Sequence, residues 1–344
     1  MISRVADHCF WFGRYVERAE STARLLATTH NLALDAELPP AQCWRPVIVV
    51  AGEELSFAAQ VRGQGQSQSQ SQGEGQTQTQ SQGPIDDDPD APWRDGDRIE
   101  RHLTWSDDSP VSIRRSVSAA RWNARQIREV VSLEAWETIN ELHLWLGDPS
   151  AEADWSERRF DFYRRVRSQT QLCLGLLRST MLHDEPLDFI WLGVMLERVN
   201  QTARTLDVQH HALTSLPARH EVVETSLWLS LLRSLSGFEP FMKRNQGRVD
   251  AEAVAEFLIG EDRFPRSVAY CVRQAYERLR AIRPTDATDL PGGRTLERLR
   301  VLDEQVRAQK GRIRGGLALH ELLTTVVDET HAACVDLGRE LLGH

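Results

Sequence analysis

Two stretches of the chain carry the same adjacent carboxylate and guanidinium at the same spacing. Trp11-Phe12-Gly13-Arg14-Tyr15-Val16-Glu17-Arg18 matches Trp191-Leu192-Gly193-Val194-Met195-Leu196-Glu197-Arg198 at an offset of 180 residues. The match runs on through Thr22-Ala23-Arg24-x-Leu26 and Thr202-Ala203-Arg204-x-Leu206 to His30 and His210. Neighbouring side chains on a helix diverge by about 100°, so Glu17 cannot pair well with Arg18, nor Glu197 with Arg198. Each needs a partner elsewhere, and three chemistries are open. In a reciprocal ion network, Glu17 pairs with an arginine of the other stretch and Glu197 does the reverse, which fixes register without adding much stability. In a shared cleft, Arg18, Arg24, Arg198 and Arg204 hold a carboxylate or phosphate in bidentate fashion. In a catalytic site, Glu17 or Glu197 serves as general base.

Other chemical signatures are absent. There is no phosphate-cradling Gly-x4-Gly-Lys-Ser/Thr, no Gly-x-Gly-x2-Gly, and His320-Glu321 does not extend to His-Glu-x-x-His. A di-metal bundle needs two Glu-x-x-His pairs and two further carboxylates. The nearest approach is Asp207-x2-His210 and Asp328-x2-His331 with Glu17 and Glu197, where the shorter aspartates reach poorly. No metal and no cofactor are expected. Five cysteines (Cys9, Cys43, Cys173, Cys271, Cys334) are odd in number and far apart, which fits reduced thiols in a cytoplasmic protein. Cys9 could act as a nucleophile only beside an oriented histidine, and a buried thiol is the simpler reading.

The elements that must position these residues read as helices. Apolar spacing of three and four outlines segments near 4–34, 40–60, 110–131, 133–146, 150–181, 186–213, 217–235, 250–259, 265–283, 294–313 and 316–342. Prolines punctuate these segments, as at Ser109-Pro110, Asp148-Pro149 and Glu185-Pro186. Val47-Ile48-Val49-Val50 is the only strand-like run, too short to build a sheet. On the repeated helix, Phe12, Val16, Ala19, Ala23 and Leu26 share one face, as do Leu192, Leu196, Val199, Ala203 and Leu206, and these are the core stripes. Beside them run Gly13, Glu17, Glu20 and Arg24, and Gly193, Glu197, Asn200 and Arg204. A helix-interior glycine costs about 1 kcal/mol relative to alanine, so its repetition points to close approach of another backbone or a ligand.

A second repeat sets Leu103-x3-Asp107-x2-Pro110-x-Ser112-Ile113 against Leu258-x3-Asp262-x2-Pro265-x-Ser267-Val268 at an offset of 155. The first half therefore carries extra residues between its two motifs, and the Gln/Gly/Ser tract from Gly63 to Gly83 lies there. That tract has nothing to bury, and with the acidic run behind it the spacer near 61–100 reads as disordered. The expected architecture is all-α: one domain over 1–344, a multi-helix bundle of two pseudo-repeated halves (about 1–180 and 181–344) that meet about a pseudo-twofold axis.

The chain has 344 residues and a net charge of −9, which argues against a nucleic-acid partner. No run of 18 apolar residues occurs, so no membrane span is expected, and the start lacks the layout of a secretory signal. Trp122, Trp136, Trp145, Trp155 and Trp228 read as core anchors, with a partner interface as the other use of such residues. Arg114, Arg115, Arg121, Arg125 and Arg128 read as a solvated helix face.

The doubled Glu-Arg helix, with Ala120-Arg121-x-Asn123-Ala124-Arg125-x2-Arg128-Glu129 and Phe264-Pro265-Arg266-Ser267-Val268, resembles the alpha-E domain family over about 1–340. The Gln-rich insertion is foreign to that pattern. The resemblance implies an all-helical bacterial protein whose genes neighbour circularly permuted ATP-grasp proteins and transglutaminase-like cysteine proteases, a setting similar to a peptide amide-ligation system. It brings no activity for the helical member itself. It directs attention to Glu17, Arg18, Glu197 and Arg198, to which the repeat adds Arg24 and Arg204. The expected role is a non-catalytic accessory subunit binding an ATP-grasp ligase, a transglutaminase-like protease or a peptide. The alternative is an enzyme whose cleft joins the two Glu-Arg helices and takes an anionic substrate.

Overall fold

A computed structural model describes residues 2–35, 38–61, 90–214, 221–245, 249–283, 291–313 and 316–344. Helices make up the fold, and no strand occurs among the described residues. The first part contains α1 (Ser3–Asp35), α2 (Pro40–Ala51), α3 (54–61), α4 (Gly96–Trp105), α5 (Ile113–Gln126), α6 (Leu133–Leu146), α7 (Pro149–Glu157) and α8 (Arg159–Thr180). The second contains α9 (Glu185–Thr214), α10 (Glu221–Ser234), α11 (Phe238–Asn245), α12 (Ala251–Gly260), α13 (Val268–Ile282), α14 (Gly293–Ala308) and α15 (Leu317–Leu337).

Helix α1 packs against α5 and α8, and α6 closes the group by packing on both. Helix α9 stands in the same relation to α13 and α15, with α14 closing that group. The two long helices α1 and α9 then pack on each other, α2 reaches across to α9, and α10 reaches across to α1. Both apolar stripes lie at this junction, with Phe12, Val16, Ala19, Ala23, Leu26, Leu192, Leu196, Val199, Ala203 and Leu206 fully buried.

Local chemistry starts several helices. Ser112 and Ser267 cap α5 and α13, their hydroxyls accepting from the backbone N–H of Arg115 and Tyr270 at 3.2 and 3.1 Å. Each hydroxyl also donates backward, to the Ser106 carbonyl at 2.7 Å and the Glu261 carbonyl at 2.6 Å, which ties α4 to α5 and α12 to α13.

Several sequence expectations are corrected. Residues 62–89 of the expected spacer lie outside the described residues, as do 217–220 of an expected helix, but 90–100 is ordered. A 3-10 turn (Ala91–Trp93) and α4 occupy it, because buried Trp93 and Ile99 supply the apolar anchors that the Gln-rich tract lacks. The segment 40–60 is two helices, since Gly52 takes a left-handed φ of 78° and ends α2. Prolines are not only punctuation: Pro46 lies inside α2, which also absorbs Val47–Val50 as helix. The segment 150–181 breaks at Arg158 (φ −141°, ψ 57°) into α7 and α8. Ser112, not Ser109, caps α5, while Ser109 donates to buried Glu53 at 2.9 Å. Trp122 is 56% exposed, with its indole edge-on to His8, whereas Trp145, Trp155 and Trp228 are buried. On α5, Arg115 and Arg125 are exposed and Arg114 and Arg121 half-buried, and Arg128 is exposed in the turn that follows.

Candidate functional site

The crossing of α1 and α9 is set by their two glycines. A Cβ on Gly13 would fall onto the backbone carbonyl of Ile190, and one on Gly193 onto that of Phe10. Only glycine lets the backbones come this close, and the glutamates one turn further along each helix are thereby brought level with the facing helix.

Glu197 is 1% exposed. Arg18 grips it with Nε at 2.7 Å from Oε1 and Nη2 at 3.0 Å from Oε2, a bidentate fork, while Arg14 Nε lies 2.7 Å from Oε2. Burial alone would push the Glu197 carboxyl up, but Arg18 and Arg14 outweigh it and hold the pKa at about 2. Arg14 also donates to Cys334 Sγ at 3.1 Å, and its own pKa is raised, burial being outweighed by Glu197.

Glu17 is fully buried and meets Arg198 Nη2 at 2.8 Å and Arg266 Nη1 at 2.6 Å. Arg266 extends the group to Glu20, a second fully buried carboxylate, at 2.6 Å. Glu20 also accepts from Arg24, one turn along α1, and from Gln171 of α8 at 3.0 Å. Burial opposes ionisation of Glu20, but Arg266 and Arg24 hold its pKa at about 2.

The structure thus buries Glu17, Arg18, Arg24, Glu197 and Arg198 in two neighbouring ion groups, Glu197 with Arg18 and Arg14, and Glu17 with Arg198 and, through Arg266 and Glu20, with Arg24. Arg204 stands apart, donating to the Val49 carbonyl at the end of α2 at 3.1 Å, with no carboxylate within pairing distance among the described residues. Sequence reasoning missed Arg14, Glu20 and Arg266 as members. A signal was present: Arg14 faces Val194 in the first repeat and Arg266 faces Val111 in the second, so charge replaces an apolar residue at both.

The two motifs also meet each other. Thr22 donates to the Val111 carbonyl at 3.4 Å, and Thr202 to the Arg266 carbonyl at 2.8 Å. Further along, His8 meets Asn123 at 2.9 Å and Arg278 meets Asp188 at 2.9 Å, joining α1 to α5 and α9 to α13.

The remaining candidates scatter. Asp207 is taken by His320 at 2.8 Å, His210 accepts the Gly316 N–H at 3.3 Å, and Asp328 and His331 are exposed on α15. Among the described residues no three His, Cys, Asp or Glu side chains are grouped to hold a metal. Burial pushes the thiols of Cys9, Cys173 and Cys271 up to about 12, which leaves them unreactive at neutral pH. Cavities of about 820 and 850 Å³ lie elsewhere in the fold, one beside Asp207, His210 and His320, the other beside Arg24 and Arg167. Among the described residues, no helix is long and apolar enough to cross a membrane.

A helical domain built on doubled Glu-Arg helices is the class of protein that this crossing defines. Residues 1–341 match the model of the Alpha-E family, described as a predicted alpha-helical domain with a conserved ER motif, and the chain belongs to that family. An uncharacterized protein of Mycobacterium bovis and two of Mycobacterium tuberculosis are each 26% identical to it over 305 residues, covering 84% of this chain. The aligned stretch is only 30% of the length of each of those curated relatives. No solved structure matches.

Proposed function

We propose that the protein is a non-catalytic, accessory helical module of a peptide- or amide-ligation system, binding an ATP-grasp ligase or transglutaminase-like protease, or their peptide substrate. The observation that carries this reading is the burial of both motif carboxylates in ion pairs with arginines of the same protein. Glu17 and Glu197 are sealed between arginines, and Glu197 is held ionised far below neutral pH, so it is too weakly basic to take a proton in a reaction. The Glu-Arg pairs serve as a rigid joint between two helical groups, and partner recognition falls to the surfaces that the joint holds in place. Support comes also from the relatives, whose matching segment is a minor part of a much longer chain. The halves, about 1–180 and 181–344, are taken as copies of one unit, a reading supported by the matched Thr22–Val111 and Thr202–Arg266 contacts.

The test is to mix the purified chain with a purified circularly permuted ATP-grasp protein of the same organism and to follow complex formation by light scattering and amide-bond formation by mass spectrometry. A stable complex, with no ligation or hydrolysis by the helical chain alone, is the expected result. Turnover by the isolated chain, or failure of the two proteins to associate, overturns the proposal.

A further inference from the structure

We propose that the cavity between α1, α8, α10 and α11 is a binding site for an oxyanion, a phosphate or carboxylate carried on a small organic body, with Arg167 as its principal ligand and Arg24 beside it. This site lies off the Glu-Arg crossing and is independent of any partner protein.

Charge imbalance is the first observation. Four arginines gather about two buried carboxylates in a protein whose net charge is −9. Around Glu17 and Glu20 the arginines are Arg24, Arg167, Arg198 and Arg266, of which only Arg167 lacks an ion pair. Its guanidinium has no hydrogen-bond partner among the described residues, and its Nε is buried with nothing to donate to. Burial and the neighbouring Arg24 disfavour its charge, and the nearby Glu20, already paired with Arg24 and Arg266, offsets this only in part. An unpaired, half-buried guanidinium beside two other cations is an arrangement that a bound anion relieves.

The second observation is the space in front of it. Arg24 and Arg167 both line the cavity of about 850 Å³, within the range of small-molecule sites. Ser230 adds a hydroxyl, and Leu32 and Leu227 an apolar wall for the ligand's body. The cavity also carries Arg233, stacked over Phe238 at 5.0 Å, and two exposed carboxylates, Asp35 and Glu239. Among the described residues neither carboxylate forms an ion pair with Arg167.

The experiment compares the full chain with Arg167→Gln and Arg167→Lys by thermal unfolding and calorimetric titration at constant ionic strength. Inorganic phosphate and succinate are the probes. The expected result is a rise in the melting temperature of the full chain with one or both probes, at least about tenfold weaker affinity in R167Q, and intermediate affinity in R167K. In oxyanion-free buffer, R167Q should unfold at the same temperature as the parent chain or higher, because a repulsive charge has gone. A response to phosphate alone makes the ligand a phosphoryl compound, and a response to succinate alone makes it a carboxylate. A shift no larger than sodium chloride produces, an unchanged response in R167Q, or a melting temperature lowered by R167Q in oxyanion-free buffer overturns the proposal.

Discussion

Glu17 and Glu197 occupy matching places on two crossing helices, and each collects two arginines, but by different routes. Glu197 takes both from α1, where Arg14 and Arg18 sit one turn apart and close on it as a single clamp. Glu17 takes Arg198 from α9 and Arg266 from the turn before α13. The position matching Arg14 is Val194, and the position matching Arg266 is Val111. A buried carboxylate needs its charge compensated, but the compensating group can enter from any element within reach. The consequence is unequal: the Glu197 clamp is closed, whereas Arg266 continues to Glu20 and Arg24, and so to the cavity where Arg167 stands unpaired.

The difference is testable. The largest effect is expected for Glu197→Gln, which strands Arg14 and Arg18. Urea unfolding should show a loss of about 3–5 kcal/mol. Glu17→Gln should cost less, because Arg266 keeps Glu20, and equal losses would erase the distinction between the two nodes. Next come Gly13→Ala and Gly193→Ala, each about 1–3 kcal/mol or more, since the added methyl meets backbone and the helices must separate. A loss near the propensity difference, or a gain, would mean that the crossing is looser than described.

Acid titration should follow. The carboxyls of Glu197 and Glu20 are lowered from 4.5 to about 2 in the folded chain, so their contribution is fully present above about pH 4.5 and is lost as the pH falls toward 2. Unfolding free energy measured across that window should drop more steeply for the parent chain than for Glu197→Gln. The smallest change is expected for the triple variant Glu197→Met, Arg14→Leu, Arg18→Leu. An apolar replacement of a whole buried ion group is often neutral or stabilising, so stability should stay near that of the parent chain while the single variant is crippled. A triple variant as unstable as Glu197→Gln would assign the clamp more than charge compensation.

Much of the fold was legible because helical burial has a period that can be read directly. The two stripes on α1 and α9 follow from spacing alone, whereas the cap of α5 lies at Ser112 and not at the Ser109-Pro110 that the sequence offered. What escaped was decided elsewhere. Trp93 and Ile99 order a stretch whose composition alone resembles the spacer before it. The left-handed φ at Gly52 splits one apparent helix into two, and Trp122 stays exposed because helix α5 turns that face outward.

The candidate site divides in the same way. Adjacency of Glu17 with Arg18, and of Glu197 with Arg198, fixed by helical geometry that partners had to come from outside, and the repeated glycines fixed that some backbone had to approach. Which arginine reaches which carboxylate, that Arg14 and Arg266 join while Arg204 turns to a helix end, and that Arg167 is left facing a cavity were decided by tertiary packing. Helical period is a local property of the chain, whereas charge compensation depends on distances between residues as far apart as Glu20 and Arg266, which exist only once the helices have crossed.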